Sequence, residues 1–82
     1  PQGADRPKPV DVGVSANGRY VIDRAPVAFV SPEALATELR RAAGASLDPM
    51  IVINADAAAT HQAVVHVLEA ARIAGFGRIT FA

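Results

Sequence analysis

A chain of 82 residues with eight Lys+Arg against eight Asp+Glu, 51% hydrophobic and 20% charged, has room for one small core and the composition of a folded domain. Zero net charge argues against nucleic-acid binding, which rests on clustered cations, and no apolar run approaches the roughly 20 residues that cross a bilayer. The absence of cysteine excludes disulfides, thiolate nucleophiles and Cys-based zinc sites, and the polar, proline-rich start has no signal-peptide apolar stretch.

Residues Pro1 to Pro9 hold three prolines, one glycine and nothing to bury, and read as an extended tether. From Val10 the pattern alternates. Val10, Val12 and Val14 are apolar and Asp11, Gly13 and Ser15 fall between them, the period of a half-buried strand. Asn17-Gly18 marks a turn and Arg19 to Asp23 a returning strand. A two-residue loop would pair Val14 with Val21. A three-residue loop with Gly18 left-handed pairs Val14 with Tyr20 and Val12 with Ile22, and gathers five apolar side chains on one face, which favours it.

Ser31-Pro32-Glu33 opens a helix, with Ser31 as N-cap, Pro32 at the first position and Glu33 in the positive first turn. Leu35, Leu39 and Ala42 form its apolar stripe and Gly44 ends it. After the Asp48-Pro49 turn, Met50 to Ala55 is a nearly continuous apolar strand, the pattern of a strand covered on both faces. Thr60 to Ala74 is a second helix. Val64, Val67, Leu68, Ala71 and Ala74 share one face, with Gln62, His66, Glu69 and Ile73 opposite. Gly75 stops it, and Arg78 to Ala82 is the last strand.

The order is therefore β-β-α-β-α-β, which specifies an α+β two-layer sandwich: a mixed sheet with two helices on one face. The unit from Met50 to Ala82 is expected as a right-handed parallel crossover. The second sheet face keeps Val52 and one side of the hairpin, an apolar surface that points to self-association.

No residues assemble into a catalytic constellation, and neither a cofactor nor a metal is expected. His61 and His66 are five apart, about 140° on a helical wheel, whereas a two-histidine metal face needs a spacing of four. His66 shares the outer face with Glu69 as a solvated pair, and His61 packs at the helix start. Asp56 follows a strand, where α/β folds often place functional groups; as a turn residue it bonds backbone N–H groups of the 57–60 turn. Asp11 and Asp23 lie on opposite hairpin strands with nothing to pose them as an acid–base pair. Asn17, Gly18, Ser31, Asp56 and Gly75 are turn and cap residues. What remains is shape. Val10, Asp11, Val12 and Val14 form an apolar strand edge beside the tether, suited to addition of a partner's strand. Alternatively Asp11, Arg19 and Asp23 merely blunt that edge with charge.

Taken in order, the V-x-V strand, the turn Asn17-Gly18-Arg19, Pro26-Val27 before a capped helix, Ile53-Asn54-Ala55-Asp56, Val64-Val65-x-Val67-Leu68 and Ala74-Gly75-Phe76 resemble the periplasmic domain of the ExbD/TolR biopolymer-transport family. The resemblance runs from Val12 to Ala82, about 70 residues. Two positions depart from it: Ala57 stands where the family usually has Lys, and His61 where it has an aromatic Tyr.

The resemblance implies a non-enzymatic subunit anchored in the inner membrane of Gram-negative bacteria by one N-terminal helix, with this chain on the periplasmic side and Pro1–Pro9 the linker. It implies homodimers, assembly with an ExbB/TolQ-like proton channel, and transfer of proton motive force to a TonB/TolA-like partner for outer-membrane transport or envelope maintenance. TolR-like members imply an alternative, binding to peptidoglycan. The family's proton-carrying Asp belongs to the membrane helix, so none of the aspartates here takes that role.

Overall fold

The computed structural model describes residues 8–82, so the expected linker Pro1–Pro9 lies outside the described residues except for Lys8 and Pro9. Strand β1 (Val10–Val14) alternates as its sequence does, with its three valines buried and Asp11 exposed. Ser15 N–H donates to the Arg19 carbonyl at 3.0 Å, closing a three-residue loop in which Gly18 takes φ +80°. Strand β2 (Tyr20–Ile22) therefore pairs in the favoured register, Val14 opposite Tyr20 and Val12 opposite Ile22.

The returning strand was expected to continue through Asp23; it ends at Ile22 instead. Asp23 and Arg24 turn the chain with φ of +48° and +71°, and a strand absent from the expected order, β3 (Ala25–Val27), pairs antiparallel with β2. A two-residue hairpin turn needs positive φ at both central residues, ordinarily advertised by Asn-Gly or Asp-Gly. Asp tolerates that region and Arg seldom does, so this turn carries no recognisable signature. Pro26 further disguises the strand, and it is tolerated because β3 lies at the sheet edge.

Helix α1 (Pro32–Ala43) begins at Ser31, whose Oγ accepts from the Ala34 N–H at 3.1 Å, and ends where the Gly44 N–H reaches the carbonyls of Arg40 and Arg41. Strand β4 (Ile51–Ala55) leads to helix α2 (His61–Ala74), capped by Thr60 Oγ1 on the Ala63 N–H at 3.1 Å. Left-handed Gly75, at φ +83°, stops α2, and β5 (Ile79–Phe81) follows. The Phe76 N–H folds back to the Ala71 carbonyl at 2.8 Å and turns the Phe76 ring into the core.

The sheet order is β3-β2-β1-β4-β5, with β1, β4 and β5 mutually parallel and the hairpin strands antiparallel. Each parallel step is made by a helical connection, as short loops cannot reverse the chain twice. Val10, Val12, Val14, Tyr20, Ile22, Ile51 and Ile53 form one cluster with Leu35, Ala36 and Leu39 of α1 and Ala63, Val67, Ala70 and Ala71 of α2. Both helices thus cover one face of a mixed sheet, the α+β sandwich expected.

The buried face of α2 is rotated from the expected wheel. Ala63 and Ala70 are fully inside, whereas Val64, Leu68 and Ala74 are half-buried at its flank. Small alanines let α2 lie close to its neighbours, and that close approach outweighs the pull of the larger side chains.

Candidate functional site

The titratable residues are placed by local hydrogen bonds. Asp56 Oδ1 accepts from the Ala58 N–H and its carbonyl from the Ala59 N–H, both at 2.8 Å, while its own N–H donates to Val14 O at 2.8 Å. This side chain holds the β4–α2 turn against the end of β1. In the first turn, Ser15 Oγ donates to Asn17 Oδ1 and accepts from the Arg19 N–H at 2.9 Å, beside Gly18. Ser31 and Gly75 occupy the helix ends described above.

The histidines exchange the surroundings expected of them. His61 is exposed at the start of α2, whereas His66 is half-buried and stacks on Phe29 with ring centroids 4.3 Å apart and planes 12° off parallel. His66 Nε2 lies 3.0 Å from the Gln62 amide nitrogen, one turn earlier. Tyr20 completes this cluster. Its hydroxyl donates to the Ala63 carbonyl at 2.7 Å and lies 3.5 Å from His66 Nδ1, and burial pushes the phenol above its ordinary value. The rotation of α2 toward Ala63 brings His66 inward, and Phe29, on the β3–α1 connection, covers it. Among the described residues no charged side chain is buried and no group of acids and histidines is arranged to hold a metal.

The strand-addition site expected at Val10, Asp11, Val12 and Val14 requires correction, because β1 is no edge. It is hydrogen-bonded to β2 on one side and β4 on the other. Beyond the end of β2, Asp23 takes over: its N–H donates to Asp11 O at 2.9 Å, and its Oδ1 accepts the Asp11 N–H at 3.0 Å. On the other side the Val10 N–H donates to Met50 O at 2.9 Å. The hairpin-plus-crossover pattern in the sequence does not reveal that β4 inserts beside β1, which is why the edge was misplaced.

The open edges are β3 and β5, and they differ chemically. In β3, Ala25 and Val27 oppose Ile22 and Tyr20, the hydrogen-bonded positions of a two-residue hairpin, so only Pro26 turns its backbone outward. Proline has no N–H to offer there. In β5 the pattern is set by Ile51 N–H donating to Arg78 O at 2.8 Å and Ala82 N–H to Ile53 O at 3.0 Å. Alternate residues of a strand face opposite ways, so Ile79 and Phe81 present both N–H and C=O outward. Strand β5 has neither proline nor charge to blunt it, and Phe81 is 59% exposed. Beside it a shallow apolar hollow is floored by Leu68, Phe76 and Ile79, with Arg72 at its rim.

The family model for the biopolymer transport protein ExbD/TolR matches residues 1–82, the whole chain. The chain belongs to the ExbD/TolR family. No curated protein matches it in a sequence comparison. Members of the ExbD/TolR family are membrane-associated transport proteins rather than enzymes, and they work with partner proteins. Among the described residues of this member, no helix is long and apolar enough to cross a membrane. Membership of a family that acts through partners directs attention to the strand edges rather than to the histidines. The sequence already marks Arg78 to Ala82 as the last strand, and the signal for its place at an open edge lies in Ile79-Thr80-Phe81, an uncharged terminal strand after a helix.

Proposed function

We propose that this domain is the non-enzymatic periplasmic part of an inner-membrane energy-transduction subunit. With an ExbB/TolQ-like channel it couples proton motive force to a TonB/TolA-like partner. Its work is mechanical: an extended segment of that partner adds to the outer edge of β5, and the domain pairs with a second copy through the open face of the sheet. The observation that carries this reading is the β5 edge, where two outward N–H/C=O pairs run alongside the Leu68–Phe76–Ile79 hollow. Backbone pairing supplies affinity in such an addition, and the hollow selects an apolar side chain.

The test is calorimetric titration of the chain with extended segments of the TonB/TolA-like protein, using Phe81→Pro as the variant. The Phe81 N–H points outward, so proline there removes a docking donor and no ladder bond. Binding by the parent that falls at least ten-fold in Phe81→Pro supports the site. Equal binding by both, or none by the parent, overturns it.

A further inference from the structure

The described residues contain seven basic side chains, and six of them, Lys8, Arg24, Arg40, Arg41, Arg72 and Arg78, lie toward the end of the sheet where β1, β4 and β5 begin. Topology places them together. Val10, Ile51 and Ile79 stand side by side at the start of the parallel strands, and antiparallel β2 finishes at that end, just before Arg24. Arg40 donates to the Ile73 carbonyl at 3.0 Å, joining the last turns of α1 and α2. The acids at this end are Asp11, Asp23, Glu38 and Asp48, Glu69 lies midway along α2, and Glu33 and Asp56 occupy the other end with Arg19. A chain of zero net charge is thereby polarised along its strands.

Some of this charge is engaged internally. Arg41 pairs with Glu38 at 3.2 Å and Arg78 with Asp48 at 3.7 Å, while Arg40 serves the α2 carbonyl. Among the described residues Lys8, Arg24 and Arg72 have no ion-pair partner within 4 Å, and Lys8 and Arg24 line one hollow with Asp11 and Asp23. At the same end Leu47, which shares a hollow with Arg40 and Phe76, is 89% exposed, and Ile73 is 39% exposed beside Arg72. A large side chain held out of the core beside a cation, at the end where the basic residues gather, is amphipathic in the way an interfacial surface is.

We propose that this end of the domain docks on an anionic lipid bilayer, with Leu47 entering the interface and Lys8, Arg24 and Arg72 meeting the headgroup phosphates. A soluble acidic polymer would engage the cations and leave Leu47 in water. An apolar protein surface would bury Leu47 and strand the charges. A negatively charged bilayer receives both. The proposal involves no partner segment; Arg72 also rims the hollow beside β5, so Lys8→Gln and Leu47→Ser, which touch neither that hollow nor that edge, are the variants that separate the two readings.

The experiment is co-sedimentation of the chain with vesicles of phosphatidylcholine and with vesicles rich in phosphatidylglycerol, at low and high salt. Lys8→Gln, Arg72→Gln and Leu47→Ser serve as variants, each checked for folding by circular dichroism. Binding is expected only to phosphatidylglycerol, weakened by salt, and about five-fold weaker in each Gln variant, the usual effect of one surface cation. Leu47→Ser, at a site that touches little of the fold, is expected to weaken it as well. Equal binding to both lipids, or no binding to phosphatidylglycerol at low salt, overturns the proposal. So does parental binding by Leu47→Ser together with equally tight binding of the parent to soluble polyglutamate, which would reveal charge attraction alone.

Discussion

The backbone N–H of Asp23 donates to the carbonyl of Asp11 at 2.9 Å, and the N–H of Asp11 donates back to Asp23 Oδ1 at 3.0 Å. One residue thus replaces the neighbour that β1 loses where β2 ends, and its left-handed backbone also starts the turn into β3. Asp23→Ala removes the carboxylate acceptor and places a residue without a polar side chain at φ +48°. A loss of about 1–3 kcal/mol is expected in urea unfolding. Asp23→Asn, which keeps an acceptor and tolerates left-handed backbone, is expected to lose less.

Tyr20 bridges the sheet and α2 through its 2.7 Å bond to the Ala63 carbonyl. Tyr20→Phe keeps the ring and is expected to cost about 1 kcal/mol. Because burial raises the folded-state value, the folded protein holds this proton more tightly than the unfolded chain. Its contribution is full below the ordinary phenol value of about 10 and is lost as pH rises through the raised one. Unfolding free energies measured across that alkaline range should fall more steeply for the parent than for Tyr20→Phe.

The two helices offer a graded test of the core. Leu39 is completely buried on α1, and Leu39→Ala is expected to cost about 2–5 kcal/mol. Leu68 is half-buried at the flank of α2, so Leu68→Ala should cost clearly less, and Gln62→Ala almost nothing. Equal losses at Leu39 and Leu68 would place the α2 face where the wheel alone put it.

Much of this architecture was legible in the residues. The alternation from Val10 to Val14, with a glycine able to take positive φ at Gly18, specified the first hairpin down to its register. Ser31 and Gly75 marked helix ends because capping is local chemistry. What escaped reading depends on the tertiary structure. Strand β3 is announced by neither glycine nor alternation, only by an Asp23-Arg24 turn that the fold forces into positive φ. The place of β1 in the middle of the sheet depends on β4 pairing with it from forty residues away. The site moved with it: Val10–Val14 carries the right residues for a strand partner, but the protein has already supplied that partner.

The open face of the sheet leads to an association prediction. Val21, opposite both Gly13 and Pro26, is 37% exposed there, and a Cβ placed on Gly13 would come within 3.7 Å of it. If two copies pair through this face, Val21→Lys should weaken self-association at least ten-fold in sedimentation equilibrium. The unfolding free energy should change by no more than about 0.5 kcal/mol, since the side chain is at the surface.

Whether a partner joins the sheet at β5 is tested most directly by amide hydrogen exchange, residue by residue, with and without a saturating extended segment of the TonB/TolA-like protein. The outward N–H groups of Ile79 and Phe81 should exchange rapidly in the free chain and become protected in the complex, with shifts spreading to Leu68 and Phe76. Protection that appears elsewhere in the chain while Ile79 and Phe81 continue to exchange freely would contradict strand addition at this edge.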